Sequence, residues 1–154
     1  MSKKYQKKED LRQHIIDIPD TYIGAISNEP RDTFLCDYDS ETQNYYLAEV
    51  TFPESIERLF LEGISNSGNN ADETRREGKD PGAIWIWADE QNVIIKNTGN
   101  SVPIIENEEN PEFLNPEMIF GTLMTSSNYD QNVPRMGCGK NGFGAKLINI
   151  FSKK

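Results

Sequence analysis

Apolar positions first fall into a regular period between residues 9 and 18. Leu11, Ile15, Ile16 and Ile18 recur there at helical spacing, and the following Pro19-Asp20 ends the pattern. Residues 21–24, Thr-Tyr-Ile-Gly, read as a short extended piece. Residues 27–44 are rich in Asn, Asp, Ser, Thr and Glu around one apolar island, Phe34-Leu35, which fits a loop or a hairpin. Residues 44–52 read as a strand. The strongest helical pattern starts at Pro53. Ile56, Leu59, Phe60, Ile64 and Ala71 gather on one side, and Glu62, Asn66, Asn69 and Glu73 lie opposite at i, i+4, i+7 and i+11. Thr51 is the expected cap, and Pro53 suits the first turn. Gly63 and Gly68 lie inside this helix, where each costs about 1 kcal/mol relative to Ala, so close packing is expected at both.

Two short apolar runs follow, residues 83–88 and 93–96, separated by Asp89-Glu90-Gln91-Asn92. That is the composition of a β-hairpin. Residues 97–101 form a polar turn, and the acidic, Pro- and Asn-rich stretch 105–116 reads as a loop. A short helix is expected over 116–124 and a polar loop over 125–132. The glycine-dense segment 137–144 leads into a second amphipathic helix over 145–151, with Leu147, Ile148, Ile150 and Phe151 apolar.

Composition narrows the class. The 154 residues are 36% apolar and 27% charged, with a formal net charge of −9. This is about one domain's length, with enough apolar content for a core but not a rich one. The charge argues against a surface built as a phosphate-backbone clamp. No apolar run approaches the ~18–20 residues of a membrane span. The Lys-rich start has no apolar segment behind it and is not a signal peptide. Two cysteines, Cys36 and Cys138, cannot make a disulfide framework or a Cys-rich zinc site. With His14 the lone histidine, any Ser-His-Asp or Cys-His mechanism would run through it. The expectation is a reduced, soluble, intracellular domain.

Three groups could carry chemistry. Gly137, Gly139, Gly142 and Gly144 remove four Cβ atoms over eight residues. Backbone N–H groups can then turn onto an anion, with the helix N-terminus behind them and Lys140 and Lys146 nearby. The stretch Gly137-x-Gly139-x-x-Gly142 spells a dinucleotide fingerprint but lacks the strand–turn–helix context, and it is no P-loop. It is a phosphate cradle or simply a flexible loop. On the long helix, Glu62 could activate a water as general base, and the Asn66 amide oxygen, one turn on, could ligate Mg²⁺. The same stripe could equally be a solvated face. At a strand end, the side-chain oxygen of Asn97 could accept a hydrogen bond from a base amine, with Gly99 allowing close approach; otherwise 97–101 is only a turn.

In order, these make a constellation: a helix with Glu-x-x-x-Asn, a hairpin ending in Asn-x-Gly, and a glycine-rich lid before a helix. Tyr5-Gln6-Lys7-Lys8, Pro19-Asp20-Thr21-Tyr22-Ile23-Gly24, the block from Ile119 to Asp130 and the block from Lys140 to Ser152 accompany it. Together they resemble the N-terminal ATP-binding (GHKL, or Bergerat-type) domain of type II DNA topoisomerases, in the eukaryotic and viral branch. The resemblance covers about residues 4–24 and 53–152. It implies an incomplete Bergerat-type α+β sandwich, helices packed on a mixed, mostly antiparallel sheet. Residues 1–24 would form an N-terminal arm exchanged between subunits, and residues 25–154 a partial ATP-binding domain.

By the same resemblance, Glu62 is the general base, Asn66 the Mg²⁺ ligand and Asn97 the reader of the adenine amine. Ser126, Ser127 and Asn128 contact sugar and phosphate, and Lys140, Asn141, Gly142, Phe143, Gly144, Ala145 and Lys146 wrap the triphosphate. The implied cofactors are ATP and Mg²⁺. The implied partners are a second subunit in a homodimer and DNA, held through regions outside this chain; no membrane is expected. The implied location is intracellular, the nucleus or a viral/cytoplasmic replication site. Asn69 stands where the family usually has Asp, Gly68 where Ala is usual, Ser101 where a second Gly is usual and Cys138 where Gly is usual. A chain this short is not expected to pass DNA strands by itself. The alternatives are a non-catalytic remnant or interaction module of the same fold, and another member of the superfamily: a chaperone, histidine kinase or mismatch-repair ATPase.

Overall fold

A computed structural model describes residues 10–37, 44–125 and 142–153. The chain begins with two short helices, α1 (Leu11–Asp17) and α2 (Asp20–Ile23). Asp10 caps α1, its carboxylate accepting from the N–H groups of Arg12 at 2.9 Å and Gln13 at 3.2 Å. The expected extended piece at 21–24 is therefore corrected: Thr21 to Ile23 are helical. Pro19 permits this because it sits at the cap of α2 with φ −61°, where its missing N–H costs nothing. Gly24 ends α2 at φ +80° and brings the chain against Glu54, whose carboxylate accepts from Ala25 N–H at 3.3 Å.

The polar stretch after residue 27 is a hairpin, β1 (Pro30–Cys36) antiparallel to β2 (Tyr45–Thr51), with Phe34 opposite Leu47. The long helix α3 (Glu54–Arg76) follows. Thr51 does not cap it: Thr51 ends β2, and Pro53 takes the cap position with no side-chain hydrogen bond. Its first turn is tied down instead by Ser55 N–H donating to the Ala25 carbonyl at 3.0 Å. Next come β3 (Ile84–Ala88) and β4 (Val93–Asn97), an antiparallel hairpin closed by Asp89, which accepts from Gln91 and Asn92 N–H groups. Those hydrogen bonds hold the Asp89 carboxyl below its ordinary pKa. The last two elements are α4 (Asn115–Gly121) and α5 (Gly144–Phe151). The fold is α+β with antiparallel pairing throughout, in two separate two-stranded sheets among the described residues.

Helix α3 is the spine, packing on β4, α2 and α5. Gly63 has the reason it required: a Cβ there would lie 2.7 Å from Ile95 Cδ1 on β4 and 3.6 Å from Ile148 Cδ1 on α5. Gly68 has none, since nothing stands within 4 Å of a Cβ there. The buried apolar core of the described residues is Ile15, Ile23 and Leu147, with Tyr22, Leu59 and Phe143 packed around it. It joins α1 and α2 to α5. All of β3 is exposed, Ile86 on the side of α3 as much as the tryptophans on the other. Ile95 and Asn97 turn to α3, while Trp85 and Trp87 on the other face remain 41% and 51% exposed.

Candidate functional site

Because α3 runs past the start of α5, Glu62 meets the glycine turn. Its carboxylate lies against Gly144, the first residue of α5, so that a Cβ at 144 would collide with it. An anion is favoured at that position, where unpaired N–H groups and the helix dipole point outward. Glu62 is 24% exposed, and its other oxygen is 3.7 Å from Arg58 Nε. Asn66, one turn further along α3, is exposed to solvent.

Gly142 sits at φ +67°, and a Cβ there would strike the Thr125 backbone. Glycine is thus required at 142 by conformation and at 144 by the approach of Glu62. Thr125 is a junction: its hydroxyl donates to the Met118 and Thr122 carbonyls, and its own carbonyl accepts from Lys146 Nζ at 2.8 Å. Lys146 is only 6% exposed, and burial holds its pKa below the ordinary 10.5. Phe143 packs on Tyr22, ring centroids 5.8 Å apart, and Tyr22 meets His14 edge to face at 6.1 Å. Ala145 follows in the first turn of α5. The predicted residues Ser126, Ser127, Asn128, Lys140 and Asn141, and Cys138 with them, lie outside the described residues.

Asn97 ends β4 and faces α3. Its side-chain NH₂ donates to Asn70 Oδ1 at 2.6 Å, and Asn70 Nδ2 donates to the Asn100 carbonyl at 2.9 Å. Thr74, 2% exposed, accepts from Asn100 N–H at 2.8 Å and donates to the Asn70 carbonyl at 2.7 Å. Asn70 and Thr74 were not singled out from the sequence, although Ser67, Asn70 and Thr74 recur at i, i+3 and i+7 as a polar stripe. Gly99, expected to allow close approach, does so toward α3: a Cβ there would collide with Asn70 Oδ1. Ser101, where the family usually has a second Gly, does not take a positive φ; among the described residues Met124, at φ +59°, is the non-glycine residue that does. A cavity of about 460 Å³ opens beside this cluster, lined in part by Asn70, Glu73, Asn100, Val102, Pro103 and Ile119. Its volume lies in the usual range for ligand sites, roughly 300–1,000 Å³.

Glu62 at the N-terminus of α5, Asn66 one turn further along α3 and Asn97 at the end of β4 are thus carried on an α+β framework. The comparisons agree. The chain aligns with the ATPase region of topoisomerase II from Saccharomyces cerevisiae at TM-score 0.76 and 39% identity, over 96% of this chain and 37% of that one. It aligns with the ATPase and transducer domains of DNA topoisomerase II from Balamuthia mandrillaris at TM-score 0.81 and 32% identity, over 97% of this chain and 36% of that one. Among curated proteins it is 40% identical to DNA topoisomerase 2 of Saccharomyces cerevisiae over 156 residues, 98% of this chain and 10% of the relative. It is also 40% identical to human DNA topoisomerase 2-beta over 152 residues, 97% of this chain and 9% of the relative. No family model matches. The chain belongs to the type II DNA topoisomerases, within their ATPase region. It spans about a tenth of the length of those curated relatives.

Proposed function

We propose that this chain is the nucleotide-binding part of an ATP-operated gate, the entry stage of a type II topoisomerase that closes a dimer around DNA. The observation that carries the reading is the meeting of Glu62 with the N-terminus of α5 at Gly144. There a base on one element faces N–H groups on another that suit a phosphate. In this reading Glu62 holds and deprotonates the attacking water, the N–H groups at the start of α5 bind phosphate oxygens, and Asn97 accepts from the adenine amine. Ser126, Ser127, Asn128, Lys140, Asn141, Gly142, Phe143, Ala145 and Lys146 complete the contacts to sugar and triphosphate.

Mg²⁺ fits the donor chemistry here. Asn66 offers one neutral oxygen at an exposed position, and this ion keeps several waters and takes its remaining ligands from phosphate. Bound Mg²⁺ would neutralise charge on the phosphates; the chain's own part is to orient water, base and nucleotide. Residues 1–24 act in the same reading as a strap between two subunits. DNA is gripped by other parts of the enzyme, at an intracellular site, nuclear or viral/cytoplasmic.

Calorimetry with a non-hydrolysable ATP analogue and Mg²⁺ tests the reading. Saturable binding is expected, weakened by Asn66→Ala and Asn97→Ala. A folded sample that binds nothing at millimolar nucleotide would overturn it and favour a non-catalytic module of the same fold.

A further inference from the structure

We infer that Asn70 is a positioning residue that fixes the polarity of Asn97 and so sets the choice of adenine over guanine; this rests on the reading that Asn97 meets the base. The relay starts at the Asn100 carbonyl, which can only accept. Asn70 Nδ2 donates to it at 2.9 Å, so Asn70 must turn its Oδ1 the other way. That oxygen accepts from Asn97 Nδ2 at 2.6 Å, which uses the NH₂ end of Asn97 and leaves its carbonyl oxygen for a ligand. Two amides in series thus carry the one-way character of a backbone carbonyl to the strand end.

Without the relay, an Asn side chain rotates its amide by half a turn and presents either a donor or an acceptor. With it, Asn97 presents an acceptor only. Adenine offers an amine at the facing position and is bound, whereas guanine offers an oxygen there and is repelled. Such a discrimination is strong because the mismatched pair leaves a buried polar group unsatisfied. The surroundings are built for the relay. Gly99 leaves room for the Asn70 amide, and Thr74 pins both the Asn70 carbonyl and the Asn100 N–H. Asn70 and Asn100 also line the neighbouring cavity.

The test measures affinities for non-hydrolysable ATP and GTP analogues with Mg²⁺ in the full 154-residue chain and three variants. Asn70→Leu should lower the adenine preference by roughly tenfold, about the worth of one hydrogen bond. Asn70→Asp should keep the preference at lower stability, because a carboxylate still accepts from Asn97 although it loses the hydrogen bond to the Asn100 carbonyl, and a purely structural role for Asn70 would not produce that rescue. Asn97→Ala separates the two layers. An unchanged preference in Asn97→Ala overturns the base reading and this inference with it. A preference lost in Asn97→Ala but kept in Asn70→Leu overturns the relay alone. A readout without nucleotide stands beside these. The Asn97 side-chain amide protons should exchange slowly with solvent in the native chain and in Asn70→Asp, and fast in Asn70→Leu. Equal exchange in all three overturns the relay.

Discussion

Lys146 is carried into the interior with a backbone carbonyl, Thr125, as its hydrogen-bond partner, and its pKa falls because burial disfavours the ammonium. The sign follows from linkage. The folded chain holds this proton less tightly than the unfolded chain, so stability rises as pH climbs through the folded pKa toward the ordinary 10.5. Below that window the cost is fully present and constant. Lys146→Met should therefore raise the urea midpoint near neutral pH and remove the alkaline rise. It should also weaken nucleotide binding by about ten- to a hundredfold, the worth of a charge-assisted hydrogen bond. Loss of both stability and affinity would contradict this. The two glycines nearby separate two causes. Gly144→Ala collides with the Glu62 carboxylate, which a flexible side chain can swing aside, so stability should change by less than about 0.5 kcal/mol while turnover in a full gate falls as Glu62 is displaced. Gly142→Ala meets the Thr125 backbone at positive φ and should lower stability by 1 kcal/mol or more, on the order expected for strained glycine sites. From the sequence, helical spacing puts Glu62 and Asn66 on one face of α3, and the roles proposed for them and for Asn97 come from the family resemblance. The role of Asn70 could not be read there, because it depends on a turn thirty residues later folding back onto α3.

At the scale of elements, the N-terminal helices and α5 form one unit. Ile15 on α1 and Ile23 on α2 are buried with Leu147 of α5, and Tyr22 stacks on Phe143 at the entry to α5. The start of the glycine helix, where a phosphate would sit, is thus braced by residues more than a hundred positions earlier. Ile15→Ala should cost about 2–4 kcal/mol, a large part of the stability of any small domain, and in urea melts α5 should be lost with the rest in one transition. Retention of the α5 contacts in the variant would show that α1 is peripheral. The helical period made α1, α3 and α5 legible, and the Asp89–Asn92 turn made β3–β4 legible. Two readings failed for local reasons. Thr21 to Ile23 look extended by residue type, yet Pro19 starts a helical turn there, and Thr51 looks like a cap, yet strand pairing with Pro30 claims it. On α3, Ser55, Ser67 and Thr74 are buried while Ile56 and Leu61 are exposed, and Leu59 packs against the core.

Over the whole molecule, the hairpin β3–β4 leaves large apolar side chains exposed. Trp85, Trp87 and Ile94 share one side of the hairpin, Lys96 stands over Trp85 at 5.5 Å, and α3 meets the opposite side at Ile95 and Asn97. Contiguous apolar surface of this kind favours association. The net charge of −9 opposes it, since like-charged chains repel over a Debye length of about 10 Å at 0.1 M salt. The balance is adjustable, because 1 M salt shortens that length to about 3 Å and leaves burial of the tryptophans unopposed. Both tryptophans of the chain lie on this one strand, so their fluorescence reports the face alone. In dilute chain at low salt, acrylamide should quench them as freely as solvent-exposed indoles. Raising salt should shift emission to the blue and lower quenching in step with a rise in sedimentation coefficient, and Trp87→Lys should abolish all three changes without altering the helix signal. Emission that is already shielded at low salt in a monomer would mean that other parts of the chain cover the hairpin. The exposed tryptophan face would then be part of the fold's own core.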